Sequence, residues 1–221
     1  MSSSEKTARN RVVRVPDRGH YDRETVYAVI DEALVCHVAF VQDGLPFVIP
    51  TLHARDGDRL LLHGATTSRL IQHVAAGQEV SVAMTLVDGL VLARSVFHHS
   101  VNYRSAVLFG RGELVEDGGK MAALERFTEK LVPGRWADAR RPNPVELKAT
   151  AVVAIPIDLA SAKIRTGGPK DDPEDYALPV WAGVVPMETH YLLPETDPAM
   201  TNEAPVPDYV TELLAARNGQ K

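Results

Sequence analysis

At 221 residues, with a formal charge of −5 and 24% charged side chains, the chain is sized for one cofactor-enclosing domain with decorated ends. The acidic balance excludes the basic face that nucleic-acid binding needs, so no nucleic-acid partner is expected. The single cysteine excludes an intrachain disulfide. No apolar run reaches membrane-span length, and the polar start Met1-Ser2-Ser3-Ser4-Glu5-Lys6 has no signal-peptide core. A cytoplasmic protein with no membrane partner is the expectation.

Residues 1–20 are polar and basic and read as an N-terminal arm. Its run Arg9-Asn10-Arg11-Val12-Val13-Arg14 lacks interleaved aromatics and reads as solvated surface. Val26, Val29, Ile30, Ala33 and Leu34 recur at helical spacing behind an acidic first turn, which predicts an amphipathic helix over 22–34. Four β-like runs follow over 34–42, 46–54, 59–63 and 79–87. Asp43-Gly44 and Asp56-Gly57 supply hairpin turns between the first three. Cys36 lies inside the apolar run 34–40 and reads as a buried, inert thiol.

A short helix is predicted over 66–76. Asp88-Gly89 reads as a further turn, leading into a strand over 90–97. A long strand follows over 103–115, in which Gly110 and Gly112 suit a bulge or a close backbone approach. Met121, Leu124, Phe127 and Leu131 mark one side of a helix over 120–131. The last apolar strand spans 151–159, with Pro156 favouring an edge or bulge. Beyond Ile164 the chain turns Gly- and Pro-rich, and a terminal helix is expected over 206–217.

Many short strands with few helices between them predict a mainly β protein built on an antiparallel barrel. Several strands look apolar on both faces. One face packs inside the barrel, and the other must be covered by a helix, a ligand or another subunit; a homodimer is the economical answer.

The most informative stretch is Leu60 to His73. An apolar strand breaks at Gly64 and opens into a helix through Thr66, Thr67 and Ser68, followed by Arg69. A cation in the first turn opposes the helix dipole. A phosphate held between the free N–H groups and the guanidinium would reverse that penalty; otherwise this is an ordinary capped helix with Arg69 in solvent. In Val48-Ile49-Pro50-Thr51, Pro50 removes a ladder donor, so the segment is either a plain edge strand or a backbone surface for a planar ring. In the cluster His98-His99-Ser100-Val101-Asn102-Tyr103-Arg104-Ser105, Arg104 and Ser105 are candidate donors to the same anion. His98 and His99 are candidate acid–base groups; water-facing loop residues are the alternative. Trp181 either seals a surface or stacks on a cofactor. The histidines show no metal-ligand spacing, so no metal site is expected. The common nucleotide-binding and hydrolase signatures are missing from the sequence.

The ordered series Cys36-His37-Val38-Ala39-Phe40, Phe47-Val48-Ile49-Pro50, Leu61 to Arg69, Asn102 to Arg111 and Trp181 to Pro186 resembles the FMN-binding split-barrel superfamily, also called pyridoxamine 5'-phosphate oxidase-like. The nearest branch is the flavin-nucleotide-binding group related to nitroimidazole-resistance proteins. The resemblance implies a six-stranded antiparallel split β-barrel over 21–187, between the arm at 1–20 and a tail at 188–221. It implies a homodimer with FMN at the subunit interface, acting as an oxidoreductase on a small-molecule substrate. Ser68 and Arg69, with Thr67 beside them, match the family's phosphate-binding pair. Val48, Ile49, Pro50 and Thr51 match the strand along the isoalloxazine, and His63 and Gly64 match the strand end that meets the cofactor. Arg104, Ser105 and Trp181 carry over as further cofactor contacts. Leu70 stands where pyridoxamine-phosphate oxidases proper have a basic residue, and the end Ala215 to Lys221 lacks their Arg-rich, Pro-terminated motif. Both departures argue against that reaction. Relatives on this fold bind haem or a deazaflavin, so haem binding or handling and a non-catalytic flavin module are the alternatives.

Overall fold

The protein is described here from a computed structural model of residue 4, residues 6–201 and residues 203–219. After a two-residue strand, β1 (Gly19–His20), the Asp22 carboxylate accepts the Thr25 N–H at 2.8 Å and starts helix α1 (Arg23–Glu32), which buries Val26, Val29 and Ile30. Strands β2 (Val35–Gln42) and β3 (Leu45–Leu52) form the expected hairpin. Its turn residues Asp43 and Gly44 have φ of 53° and 75°, the pair of positive values that a two-residue turn needs. Strands β4 (Ala54–Asp56) and β5 (Arg59–Ala65) form the next hairpin, and helix α2 (Arg69–Ala75) begins three residues after the expected start at 66.

Asp88-Gly89 is not a turn. Strand β6 (Glu79–Leu92) runs through it with a bulge that shifts the register between Val87 and Gly89. Glycine is required there for another reason: a Cβ on Gly89 would lie 2.9 Å from the Val185 carbonyl oxygen of the strand paired with this part of β6. The expected strand over 90–97 therefore ends at Leu92, and Val96–His98 form a 3-10 helix.

The expected strand over 103–115 is divided as well. Strand β7 (Ser100–Arg111) lies in one sheet and β8 (Glu113–Leu114) in another, with the corner at Gly112. A Cβ at Gly112 would sit 2.4 Å from Val74 Cγ1 and 2.9 Å from the Ala154 carbonyl oxygen, so the close approach read from the sequence is real. Helices α3 (Asp117–Leu131), α4 (Arg135–Asp138) and α5 (Pro144–Ala149) follow, the last opened by a capping box between Asn143 and Glu146.

The apolar run at 151–159 also spans two elements, β9 (Thr150–Pro156) and the start of β10 (Leu159–Arg165). Strand β10 escapes the sequence pattern because Ala160, Ser161 and Ala162 are small and Lys163 is charged, yet it pairs with β7 over seven residues. Strand β11 (Gly183–Pro186) and helix α6 (Asp208–Gly219) complete the chain. No helix among the described residues is long and apolar enough to cross a membrane.

The architecture is the expected mainly β, antiparallel arrangement with flanking helices. One sheet has the order β1-β10-β7-β6-β2-β3, with β11 added to the distal half of β6. The other has the order β4-β5-β9-β8. The two sheets share a core of α1, α2 and inward-facing residues such as Val38, Phe40, Leu60, Leu62, Val82 and Ile155, without closing into one ring. The doubly apolar strands are explained by α3. Leu61, Val152 and Ala154 face away from that core and pack under Ala123 and Phe127 of this helix. Cys36 is fully buried, and burial pushes its thiol up to about 12. The N-terminal arm is packed rather than loose: Asn10 is buried and donates to the Ala160 carbonyl at 3.1 Å.

One buried polar cluster fixes α3 to α1. Lys130 Nζ donates to the Ile30 carbonyl at 2.9 Å and meets His53 Nε2 at 2.8 Å. Burial first, then the Lys130 charge, push His53 down to about 4. A folded-state pKa below the ordinary 6.5 means that the unfolded chain binds the proton more tightly. His53 therefore contributes stability that is complete above pH 6.5 and is lost as pH falls toward 4. Urea titrations across that window should show a loss of about 3 kcal/mol that His53→Gln removes.

Candidate functional site

Strand β3 is the free edge of the larger sheet, paired only with β2, which is where Pro50 can sit without a donor. Val48 is 63% exposed on this edge, while Ile49 and Thr51 are half-buried. Phe47 turns toward α2 and stacks on Phe40 with centroids 5.5 Å apart. The Arg69 guanidinium lies over the Phe47 ring at 4.3 Å, a cation–π contact that holds it at the start of α2. Arg69 forms no salt bridge among the described residues.

Ser68 occupies the N-cap position, but its hydroxyl makes no capping bond. Its N–H donates to the Ala65 carbonyl at 2.8 Å, and the Thr66 N–H donates to the Ala149 carbonyl at 3.0 Å, which fixes the loop. Thr67 is exposed, and Gly64 lets Ile71 approach: a Cβ there would stand 3.1 Å from Ile71 Cγ1. The Phe47–Arg69 contact thus brings the start of α2, with Thr67 and Ser68, beside the β3 edge that carries residues 48–51, while Gly64 lies on β5 just before that loop.

His63 is on the same strand as Gly64 but faces the other way. It lines an apolar cavity of about 490 Å³ between β5, the end of β3 and α3 to α5, together with Leu52, Leu124, Phe127, Leu131 and Trp136. Its ring meets Phe127 edge-on at 4.3 Å, and its buried Nδ1 has no hydrogen-bond partner. Burial lowers its pKa, so the ring is neutral at pH 7 and able to ligate. Arg135 stands at the cavity, donating to the Tyr209 hydroxyl at 2.7 Å. The Phe127 face of this cavity was visible as the apolar stripe of a helix. The contribution of Arg135 and Trp136, on the short α4, had no periodic signal.

The remaining expected site residues lie elsewhere in the chain. Arg104 is engaged: it pairs with Asp88 at 2.7 Å and with both carboxylate oxygens of Glu32. These hydrogen bonds raise its pKa. Ser105 donates to the Lys163 carbonyl at 3.2 Å. His98 meets Asp172 at 3.2 Å and His99 meets the Ser95 carbonyl at 3.0 Å, both in the loop between β6 and β7. His98, Asp172 and Asp175 place their ligand-type atoms within 4.8 Å of one another, a grouping invisible in the sequence because it spans 78 positions. Trp181 is 65% exposed against Gly183, beside the distal end of β6. Strand β6 has 14 residues, so about 40 Å of strand separates Trp181 from the end near α2.

The comparisons with known proteins bear on the family and the fold. Residues 22–164 match the family model described as pyridoxamine 5'-phosphate oxidase, and the chain belongs to that family. The flavocytochrome Anf3 from Azotobacter vinelandii shares 40% identity and a TM-score of 0.88, with 93% of this chain and 96% of that one aligned. The FAD and haem binding protein from Mycobacterium smegmatis shares 38% identity and a TM-score of 0.85, over 88% and 96% of the two chains. A candidate 5-nitroimidazole antibiotic resistance protein from Bacteroides thetaiotaomicron shares the fold, with 20% identity and a TM-score of 0.56 over 66% and 86%. No curated protein matches the chain.

Because Arg104 serves structure, Arg104→Met should cost about 1 kcal/mol or more in chemical denaturation, from the stranded Glu32 and Asp88 carboxylates. Flavin affinity, measured by fluorescence quenching, should stay unchanged in that variant.

Proposed function

We propose that this protein is a homodimeric oxidoreductase that holds a flavin at the β3 edge and a haem in the His63 cavity. The observation that carries the reading is the apolar cavity itself. A neutral imidazole lines about 490 Å³ of largely hydrocarbon wall, the surroundings a haem needs. Arg135 and Glu146 stand at its side, Arg135 already paired with Asp138 at 3.2 Å. The likeness to a flavocytochrome and to an FAD and haem binding protein supports this pairing of groups.

At the β3 edge, Ser68, Thr67 and Arg69 would hold the phosphate common to FMN and FAD. Exposed Val48 and the free outer side of the backbone at residues 48–51 would carry the ring. A deazaflavin fits the same donors. Bound in these places, flavin and haem supply electron transfer, while the chain's own residues orient, desolvate and charge-match them. Leu52 ends the flavin-facing strand and also lines the haem cavity, so a single hairpin positions both. Strand β3 is a free edge with exposed Val41, Leu45 and Val48 nearby, and Trp181 can reach such a site only from a second subunit. Both points support the dimer, with residues 21–187 as the cofactor-binding body.

The purified protein, supplied with flavin and haemin during expression, should show flavin bands and a Soret band. His63→Ala should abolish the Soret band and keep the flavin. Arg69→Ala should weaken flavin binding by about tenfold or more with little change in melting temperature, since the side chain is exposed. A colourless protein under these conditions would overturn the reading.

A further inference from the structure

A second cavity, of about 510 Å³, lies where β10 meets the N-terminal arm and the loop between β6 and β7. Arg14, Arg18, Lys163, Arg165 and Lys170 line it, and among the described residues no Asp or Glu does, in a chain whose formal charge is −5. Elsewhere the arginines meet acids: Arg23 pairs with Asp58, Arg55 with Asp31, Arg94 with Asp171 and Arg104 with Glu32. Among the described residues, none of the five cavity cations forms a salt bridge. Asp171 and Asp172, next to Lys170 in the chain, are engaged by Arg94 and His98.

Arg165 is the central member. It is only 6% exposed, and its guanidinium donates to Asn102 Oδ1 and to the Gly167 and Gly168 carbonyls, all neutral acceptors. Burial and the neighbouring Arg18 charge lower its pKa, yet a guanidinium does not deprotonate. A buried, uncompensated charge of this kind is costly. The arm adds a second sign. Val15, which also lines the cavity, has φ of 54° immediately before Pro16. A β-branched residue avoids that region, and a residue before proline favours extended backbone. Such strain concentrates at ligand sites, and here Val15 stands between Arg14 and Arg18, which line the cavity with it. Phe97, 86% exposed, and Tyr103 give the same cavity an aromatic wall.

We propose that this cavity binds the diphosphate of a nucleotide, with Arg18, Lys163, Arg165 and Lys170 on the phosphates and Phe97 against the ring. One phosphate would leave much of the cavity and most of its charge unmatched; two suit five cations and a planar base. The cavity lies beside β1 and β10, at one edge of the larger sheet, whereas β3 and Arg69 lie at the other. It is therefore a separate site within the chain. The diphosphate has two sources, a free nucleotide or the ADP half of an FAD bound across the dimer.

Calorimetric titration of the flavin-loaded protein with ADP and with inorganic pyrophosphate tests the site. Both should bind, more weakly as salt rises from about 50 to about 500 mM. The double variant Arg18→Ala/Lys170→Ala should lose about tenfold or more in affinity at unchanged melting temperature. Arg165→Gln is not used alone because a buried change there could unfold the protein. If ADP fails to bind the loaded protein but the double variant loses affinity for FAD and not for FMN, the site holds the flavin's own diphosphate. Unchanged binding of ADP, pyrophosphate and FAD in the double variant, or no binding of any of them, overturns the proposal.

Discussion

Helix α1 ends on two acids, Asp31 and Glu32, at the pole where the helix dipole is already negative. Three cations from three different elements neutralise that turn. Arg55 of β4 pairs bidentately with Asp31 at 2.8 and 2.5 Å. Arg104 of β7 clasps Glu32, and Lys130 of α3 donates to the Ile30 carbonyl. Because β4 and β7 belong to different sheets, this one helix end ties both sheets and the covering helix together. Such partly exposed pairs contribute modestly in energy, but they select the relative placement of layers that the apolar core alone leaves free to slide.

That constraint also decides which arginines remain for ligands. Arg104 is drawn into the α1 junction and onto Asp88 in the β6 bulge. Arg69 escapes such pairing because Phe47 holds it by its ring. The consequence is a division of labour along the fold. The β3 edge lies beside Ser68 and Arg69 at the start of α2, α3 to α5 enclose the His63 cavity, and the far edge gathers the cations of β10 and the arm.

Much of the fold was legible because its signals are local. The Asp43-Gly44 turn, the α1 stripe and the helix start near Ser68 depend on neighbouring residues, and each forms close to its expected bounds. The errors share one cause, which is that a strand's extent is set by its partners. Asp88-Gly89 has turn chemistry, but β7 and β11 pair on either side of it and keep β6 running. Gly112 divides one apolar run because β9 captures Glu113-Leu114. Strand β10 is poor in large apolar residues and exists through its ladder with β7.

The site divides in the same way. Ser68, Arg69 and the strand 48–51 could be singled out from sequence because a cation at a helix start and a proline in a strand are anomalies of local chemistry. The orientation of His63, the engagement of Arg104 and the assembly of Arg14, Arg18, Lys163, Arg165 and Lys170 are long-range facts. Local periodicity and turn chemistry determined, by themselves, a mainly β, antiparallel chain with a strand-to-helix break before Arg69. Only the tertiary structure decided which charges were paired within the protein and which were left facing a cavity, because pairing depends on distance in space rather than along the chain.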